Sequence, residues 1–359
     1  MQKPLNIRTL SHEELQAAVV ELGEATFRAN QIWEWLWQKG AGTFDEMLNL
    51  SKLLREKLKE KFVIDKITIE ASQSSSDGSI KYAFRLAAGH IVEGVLIPTS
   101  SRVTACISSQ AGCSLDCKFC ATGFLDLKHN LLHYEIFDQV EILRREALAA
   151  YGRPLTNIVY MGMGEPLLNY RNVMQSVHLI TAPEGLGMSP QRITVSTAGI
   201  AKMIKRLADD GARFEFALSL HAANDEKRSR MMSINQSNNL EALREALVYF
   251  YEKTHTRVTY EYCIFKDVND SLEDARELAT FARVVPSKIN IIEYNPVEDS
   301  GFENTTRRRM DAFVAYLEAE GLIVNVRRSR GRDVDGGCGQ LALKNWEQSG
   351  TSGPVQPVA

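Results

Sequence analysis

The chain has 359 residues, 44% hydrophobic and 24% charged, with a formal net charge of −3. No apolar run reaches the roughly 18 residues that a membrane helix needs. The opening stretch from Met1 to Leu15 lacks the apolar core of a signal peptide, so a cytoplasmic protein away from membranes is expected. Six cysteines are too few for a disulfide scaffold. Three of them fall within eight residues, which points to metal binding or catalysis rather than stapling.

Residues 1 to about 75 read as a small helical accessory domain. Leu15, Val19 and Leu22 recur at helical spacing, followed by Ile32 with Leu36, and by Leu54 with Leu58. Residues 76–102 read as a β extension, with β-branched and aromatic residues around a glycine break. From 103 to 345, short apolar runs near 103, 157, 192, 214, 258, 288 and 322 alternate with helical patterns. Among these helices are Tyr134–Leu148 and Leu240–Phe250. Such alternation predicts an α/β protein with βα units around a parallel sheet, as a full or partial barrel. The site is then expected at the C-terminal strand ends. Residues 346–359 read as a tail without a core-forming pattern.

The central motif is Gln110-Ala-Gly-Cys113-Ser-Leu-Asp-Cys117-Lys-Phe-Cys120. Thiolates are the usual ligands of iron–sulfur clusters. Spacings of three and two residues let one loop wrap three corners of a cubane and leave the fourth iron open to a substrate. Zinc is the alternative, and it needs a fourth ligand nearby, for which His129 and His133 are the candidates.

CxxxCxxC after the first barrel strand resembles the radical S-adenosylmethionine (SAM) superfamily. The resemblance implies a partial (β/α)6-type barrel and a [4Fe–4S] cluster on Cys113, Cys117 and Cys120. It further implies that SAM chelates the open iron and is cleaved to a 5′-deoxyadenosyl radical. Met161-Gly-Met-Gly-Glu-Pro166 follows the second barrel strand, with Gly164 permitting close backbone approach and Glu165 offering a carboxylate to the methionine ammonium. Ser196, Ser219, Leu220, His221 and Asn295 stand at later strand ends and complete the expected SAM pocket.

CISSQ-x-GC, MGMGEP, SLHA, YNP and the late Cys338-Gly-Gln-Leu together resemble the RlmN/Cfr family of RNA adenine methyltransferases, over nearly the whole chain. The resemblance implies that one SAM methylates Cys338 and a second, bound to the cluster, yields the radical, so that two are used per turnover. A carbon radical on the methylated cysteine then adds to the adenine. Cys106 attacks the Cys338 sulfur and leaves a disulfide for a cellular thiol to reduce. Glu93 and Cys106 both stand as candidates for taking the proton from the adenine carbon. The implied partners are 23S rRNA, tRNA, and an electron donor such as flavodoxin or ferredoxin.

Pro166 favours the family branch that methylates C2 over the branch that methylates C8 and confers antibiotic resistance. Outside enzymes, the alternative is an RNA-binding or electron-transfer iron–sulfur protein, which leaves the SAM-pocket motifs without a purpose. Gly336-Gly337 departs from the two alanines common in the family, and predicts a more mobile Cys338 loop. Arg327, Arg328, Arg330 and Arg332, just before Cys338, are expected to hold RNA phosphates together with the N-terminal domain. Cys263, in VTYEYCI, reads as a small core residue.

Overall fold

The computed structural model describes residues 4–298 and 300–341. The tail expected over 346–359, and the last four residues assigned to the barrel, lie outside the described residues.

The N-terminal region folds as three helices, α1 (His12–Glu21), α2 (Phe27–Trp37) and α3 (Lys52–Lys61). Ser11 opens α1 through a capping box with Glu14, and the Ser51 hydroxyl caps α3 by accepting from Leu54 N. Leu15, Val19, Ile32, Leu36, Leu54 and Leu58 are all buried, so the helical periodicity marks the core face correctly.

Ten strands then form one sheet: β1 (Thr68–Ser74), β2 (Ile80–Arg85), β3 (Ile91–Pro98), β4 (Val103–Cys106), β5 (Asn157–Tyr160), β6 (Ile193–Thr197), β7 (Glu215–Ser219), β8 (Val258–Ile264), β9 (Ser287–Glu293) and β10 (Val324–Arg327). Each strand lies beside its sequence neighbours, from β10 at one edge to β1 at the other. The pairs from β1 to β4 are antiparallel and those from β4 to β10 are parallel. The sheet therefore begins earlier than the β extension expected over 76–102, because Thr68–Ser74 adds an outer strand to it.

Helices cover the parallel block as the alternating pattern predicts. They are α4 (His133–Tyr151) and α5 (Tyr170–Thr181) flanking β5, α6 (Ala201–Asp209), α7 (Asp225–Met231) and α8 (Leu240–Thr254) flanking β7, α9 (Leu272–Ala282), and α10 (Arg307–Ala319) before β10. The α4 helix ends at Gly152, whose left-handed φ of 62° suits a residue without a Cβ. No helix among the described residues is long and apolar enough to cross a membrane. Parallel strands place their C-terminal ends on one side of the sheet, so the residues after β4 to β9 share one rim.

The N-terminal helices are fastened to this frame by charge. The Arg8 guanidinium donates two hydrogen bonds to Asp138 of α4, at 2.7 Å each, and both side chains are fully buried. Lys66 Nζ and the Ile67 N–H also donate to Asp138. Arg8 lies over the rings of Trp37 and Tyr134, so aromatic faces complete its surroundings. Removing one partner of a buried pair strands the other charge. Asp138→Ala is therefore expected to destabilise the protein by about 3–5 kcal/mol in chemical denaturation. Arg8→Met with Asp138→Leu should recover most of that loss. A single-variant loss under about 1 kcal/mol would mean that Arg8 finds water or a new partner.

Candidate active site

Two cavities meet inside the partial barrel. The first is lined by Cys113, Cys117 and Cys120 from the loop after β4, with Gly164, Glu165, Ser196, Ser219 and His221 from the C-terminal ends of β5 to β7. The second is lined by Cys106, by Asn157, Thr194, Thr259 and Asn290 of the strand interiors, and by Arg327. Cys338, Glu261 and Met161 line both.

Each feature of the first cavity has a local cause. The cysteine loop is held by Cys113 N–H donating to Leu125 O, Cys120 N–H to Cys117 O, and Lys118 N–H to Met231 O. Phe119 packs edge-on against His221, with ring centroids 4.8 Å apart. All three thiols are free. Burial pushes each of them up, Cys113 to about 11, and neighbouring sulfurs add to the effect at Cys113 and Cys117. Three adjacent thiols so disfavoured as thiolates suit a cationic iron centre that compensates their charge. Among the described residues, no three His, Cys, Asp or Glu side chains are grouped for a single metal ion. The zinc alternative also loses its fourth ligands: His129 bonds to Glu135, and His133 is buried against Arg8 O. The cysteine loop thus fits a cluster better than one zinc.

Glu165 is buried and accepts N–H bonds from Leu167 and Ala198, and burial nevertheless raises its pKa. Gly164 has φ 94°, and a Cβ there would stand 2.4 Å from Gln110 Cβ, so only glycine fits. Ser196 and Ser219 face each other at 3.3 Å. His221 Nδ1 accepts from the Cys263 N–H, and burial lowers the ring's pKa to about 3, which keeps it neutral.

Leu220 is fully buried and lines neither cavity; its carbonyl accepts from Arg228. Asn295 likewise turns to the Cys338 loop, donating to Cys338 O and accepting from Arg332. Glu93 is buried on β3, 3.5 Å from Lys81 Nζ, and lines neither cavity.

The Cys338 loop is hydrogen-bonded to its surroundings. Ala121 N–H donates to Gly339 O, Thr122 Oγ1 to Leu341 O, and Gly337 N–H to Gln340 Oε1. A Cβ on Gly337 would approach Asn295 Nδ2 to 2.7 Å, so the glycine allows tight packing here. Cys338 is exposed toward the cavities, yet the protein crowded around its sulfur pushes it up to about 11, and burial pushes Cys106 to about 12, with Arg327 pulling both down.

The arginine run divides in two. Arg327 turns inward, 3.0 Å from Glu261, and Arg332 pairs with Glu293, while exposed Arg328 and Arg330 stand at the rim with Arg102. Cys263 is buried as expected, but it lines the first cavity. Sequence reasoning passed over Glu261, although a lone charge in the apolar strand VTYEYCI is a visible signal.

Residues 5–64 match the ribosomal RNA large subunit methyltransferase N-terminal domain family, and residues 107–280 match the radical SAM superfamily. A probable dual-specificity RNA methyltransferase RlmN from Cytophaga hutchinsonii is 54% identical over 94% of this chain and 93% of its own. The chain belongs to the RlmN family. A dual-specificity RNA methyltransferase RlmN from Nitratidesulfovibrio vulgaris is 43% identical, covering 97% of both chains. The crystal structure of a radical SAM methyltransferase from Sphaerobacter thermophilus superposes with a TM-score of 0.88 at 37% identity, over 94% of this chain and 99% of that one.

As a radical SAM protein, this RlmN-family chain uses a [4Fe–4S] cluster and SAM. Reconstituted anaerobically, the full chain should carry about four irons. Replacing any one of Cys113, Cys117 or Cys120 by alanine should abolish most of that iron. Full iron in an alanine variant would remove that cysteine from the ligand set.

Proposed function

We propose that this RNA methyltransferase places a methyl group on C2 of an adenine in 23S rRNA and in tRNA, with Cys338 as methyl carrier and Cys106 as resolving thiol. The observation that supports the reading is the position of Cys338, which lines both the cysteine-loop cavity and the cavity holding Cys106.

Adenine C2 is an electron-poor amidine carbon and does not attack the methyl of SAM as a nucleophile. Cys338 sulfur does, once deprotonated, since the thiolate is the competent form. Its new S–CH3 bond replaces the S–CH3 bond of SAM. When bound, the cluster and a second SAM supply a radical able to remove one hydrogen atom. Cys338 then presents its carbon to the adenine, which must leave its stack to reach a sulfur set inside a cavity. As the carbon joins C2, the adduct gives up the C2 proton, to Glu93 or Cys106, and one electron, the equivalent of the one spent on SAM cleavage. The Cys106 thiolate attacks the Cys338 sulfur, the S–S bond forms as the S–C bond to the base breaks, and the released carbon takes up a proton to become the methyl group. Gly164, Glu165, Ser196, Ser219 and His221 are the residues suited to hold SAM, and Asn295 holds the Cys338 loop by its carbonyl. A thiol reductant restores both cysteines, and a flavodoxin or ferredoxin supplies the electron.

An anaerobic assay with SAM, reductant and an rRNA fragment tests the reading, with nucleosides resolved by mass spectrometry. 2-Methyladenosine is expected, and 8-methyladenosine would overturn the regiochemistry. Cys338→Ala should transfer no label from SAM to protein or RNA. Cys106→Ala should instead accumulate RNA joined to Cys338 through a methylene bridge, seen as a slow band on a denaturing gel. Normal turnover by Cys106→Ala would remove its resolving role.

The exposed Arg328 and Arg330 are the arginines of the run suited to phosphate. Their double alanine variant should weaken RNA binding and reduce its salt slope by roughly one to two. An unchanged slope would assign them to plain solvated surface.

A further inference from the structure

Arg228 of α7 is fully buried, and the hydrogen bonds of its guanidinium all go to uncharged acceptors. Nε donates to Leu220 O at 3.1 Å, Nη1 to Asn235 Oδ1 at 2.8 Å, and Nη2 to Ala198 O at 2.5 Å and Ser219 O at 3.3 Å. Those carbonyls stand at the C-terminal ends of β6 and β7, directly beneath the first cavity. Asp225 is close in sequence, but its Oδ1 accepts from Asn235 and from the Leu240 N–H instead. Glu165 is occupied by the Leu167 and Ala198 N–H groups.

A buried cation with neutral partners is poorly compensated, and folds tolerate one where an anion completes the site. The cysteine loop is the element that supplies it. Lys118 N–H donates to Met231 O, and the Ser233 hydroxyl bonds to Asp116, so α7 and the segment after it dock on the loop that bears Cys117. Three thiolates on a doubly positive cluster core leave one net negative charge, and reduction adds a second. A fixed positive charge beside such a centre therefore favours its reduced form, since net charge and surroundings set the potential of these clusters.

We propose that Arg228 is a positioning residue that acts as the buried counter-charge of the iron–sulfur centre and makes that centre easier to reduce. Burial lowers the guanidinium to about 10, and the Cys117 sulfur first, then the Asp225 carboxylate, oppose that lowering. The distinction from a purely structural role lies in charge. A lysine keeps the cation while losing the fork of hydrogen bonds, and glutamine or methionine removes the charge, with or without polar atoms to meet the carbonyls.

The test uses the full chain, wild type and the R228Q, R228M and R228K variants, each reconstituted anaerobically with iron and sulfide. Midpoint potentials are read by electron paramagnetic resonance during reductive titration without SAM, beside iron content. R228Q and R228M are expected to shift to more negative potential at full iron content, with R228K staying near wild type. R228M covers the case in which the glutamine variant does not fold. Full iron with an unmoved potential in either neutralised variant would overturn the proposal. So would an R228K shift as large as that of R228Q, which would assign the effect to the hydrogen bonds. Absent iron in the wild type would instead remove the cluster assignment itself.

Discussion

Carboxylates stitch the segment after the last strand to the opposite edge of the sheet. β10 is the last strand of the sheet, and the segment after it crosses to the β1–β2 turn. There Asp333 accepts from Ser75 Oγ at 2.5 Å and from the Ser76 N–H at 2.9 Å, while Asp77 accepts from the Gly331 N–H at 2.9 Å. These donors hold the Asp333 carboxyl down at about 2 and lower Asp77 as well. The stitch therefore stays charged throughout the neutral range. Cys338 lies five residues beyond Asp333, so the same stitch also brings the candidate methyl carrier to the two cavities. The antiparallel extension is thus part of the site's framework, because its turn carries the other half of the stitch.

Buried charge organises the rest. Arg8 with Asp138 docks the N-terminal helices, Lys81 with Glu93 lies within the extension, and Arg327 with Glu261 stands between the two cavities. The first and last pairs join elements distant in sequence, so each fixes one arrangement of the chain as well as compensating a charge, while Lys81 and Glu93 stand on the adjacent strands β2 and β3. The Arg327–Glu261 pair also bears on sulfur chemistry. It leaves a cation near Cys106 and Cys338, the two thiols that the surrounding protein holds protonated.

Much of this was legible in the sequence. The helical spacing of Leu15, Val19, Ile32 and Leu36 marked buried faces, and the apolar runs near 157, 192, 214, 258 and 288 became β5 to β9. The cysteine loop and the MGMGEP turn were legible because glycine and cysteine have few bland reasons to recur at fixed spacing. What stayed hidden was direction. Four arginines within six residues look alike on the page, yet a strand alternates its faces, so Arg327 points into the barrel while Arg328 does not. Leu220 and Asn295 sat at the right strand ends but spend their polar groups on Arg228 and on the Cys338 loop. Glu93 could be placed on a strand, but its burial beside Lys81 depends on the pairing register of β2 and β3. Arg228 carried no signal, because DEKRSRM reads as an ordinary solvated helix.

Cys338 reaches the junction of the two cavities from a loop. Among strand residues, Cys106 lines the second cavity and Cys263 the first, while Glu261 of β8 lines both. The Cys338 sulfur joins Glu261 there from the segment that follows β10, where glycines allow close packing. A Cβ on Gly337 would stand 2.6 Å from Gln340 Oε1 and 2.7 Å from Asn295 Nδ2, so those side-chain ends would have to shift to admit one. Close backbone packing on both sides of Cys338 then holds the sulfur at the junction without a strand to carry it. The same packing draws in the amide of Asn295, which donates to Cys338 O and accepts from Arg332.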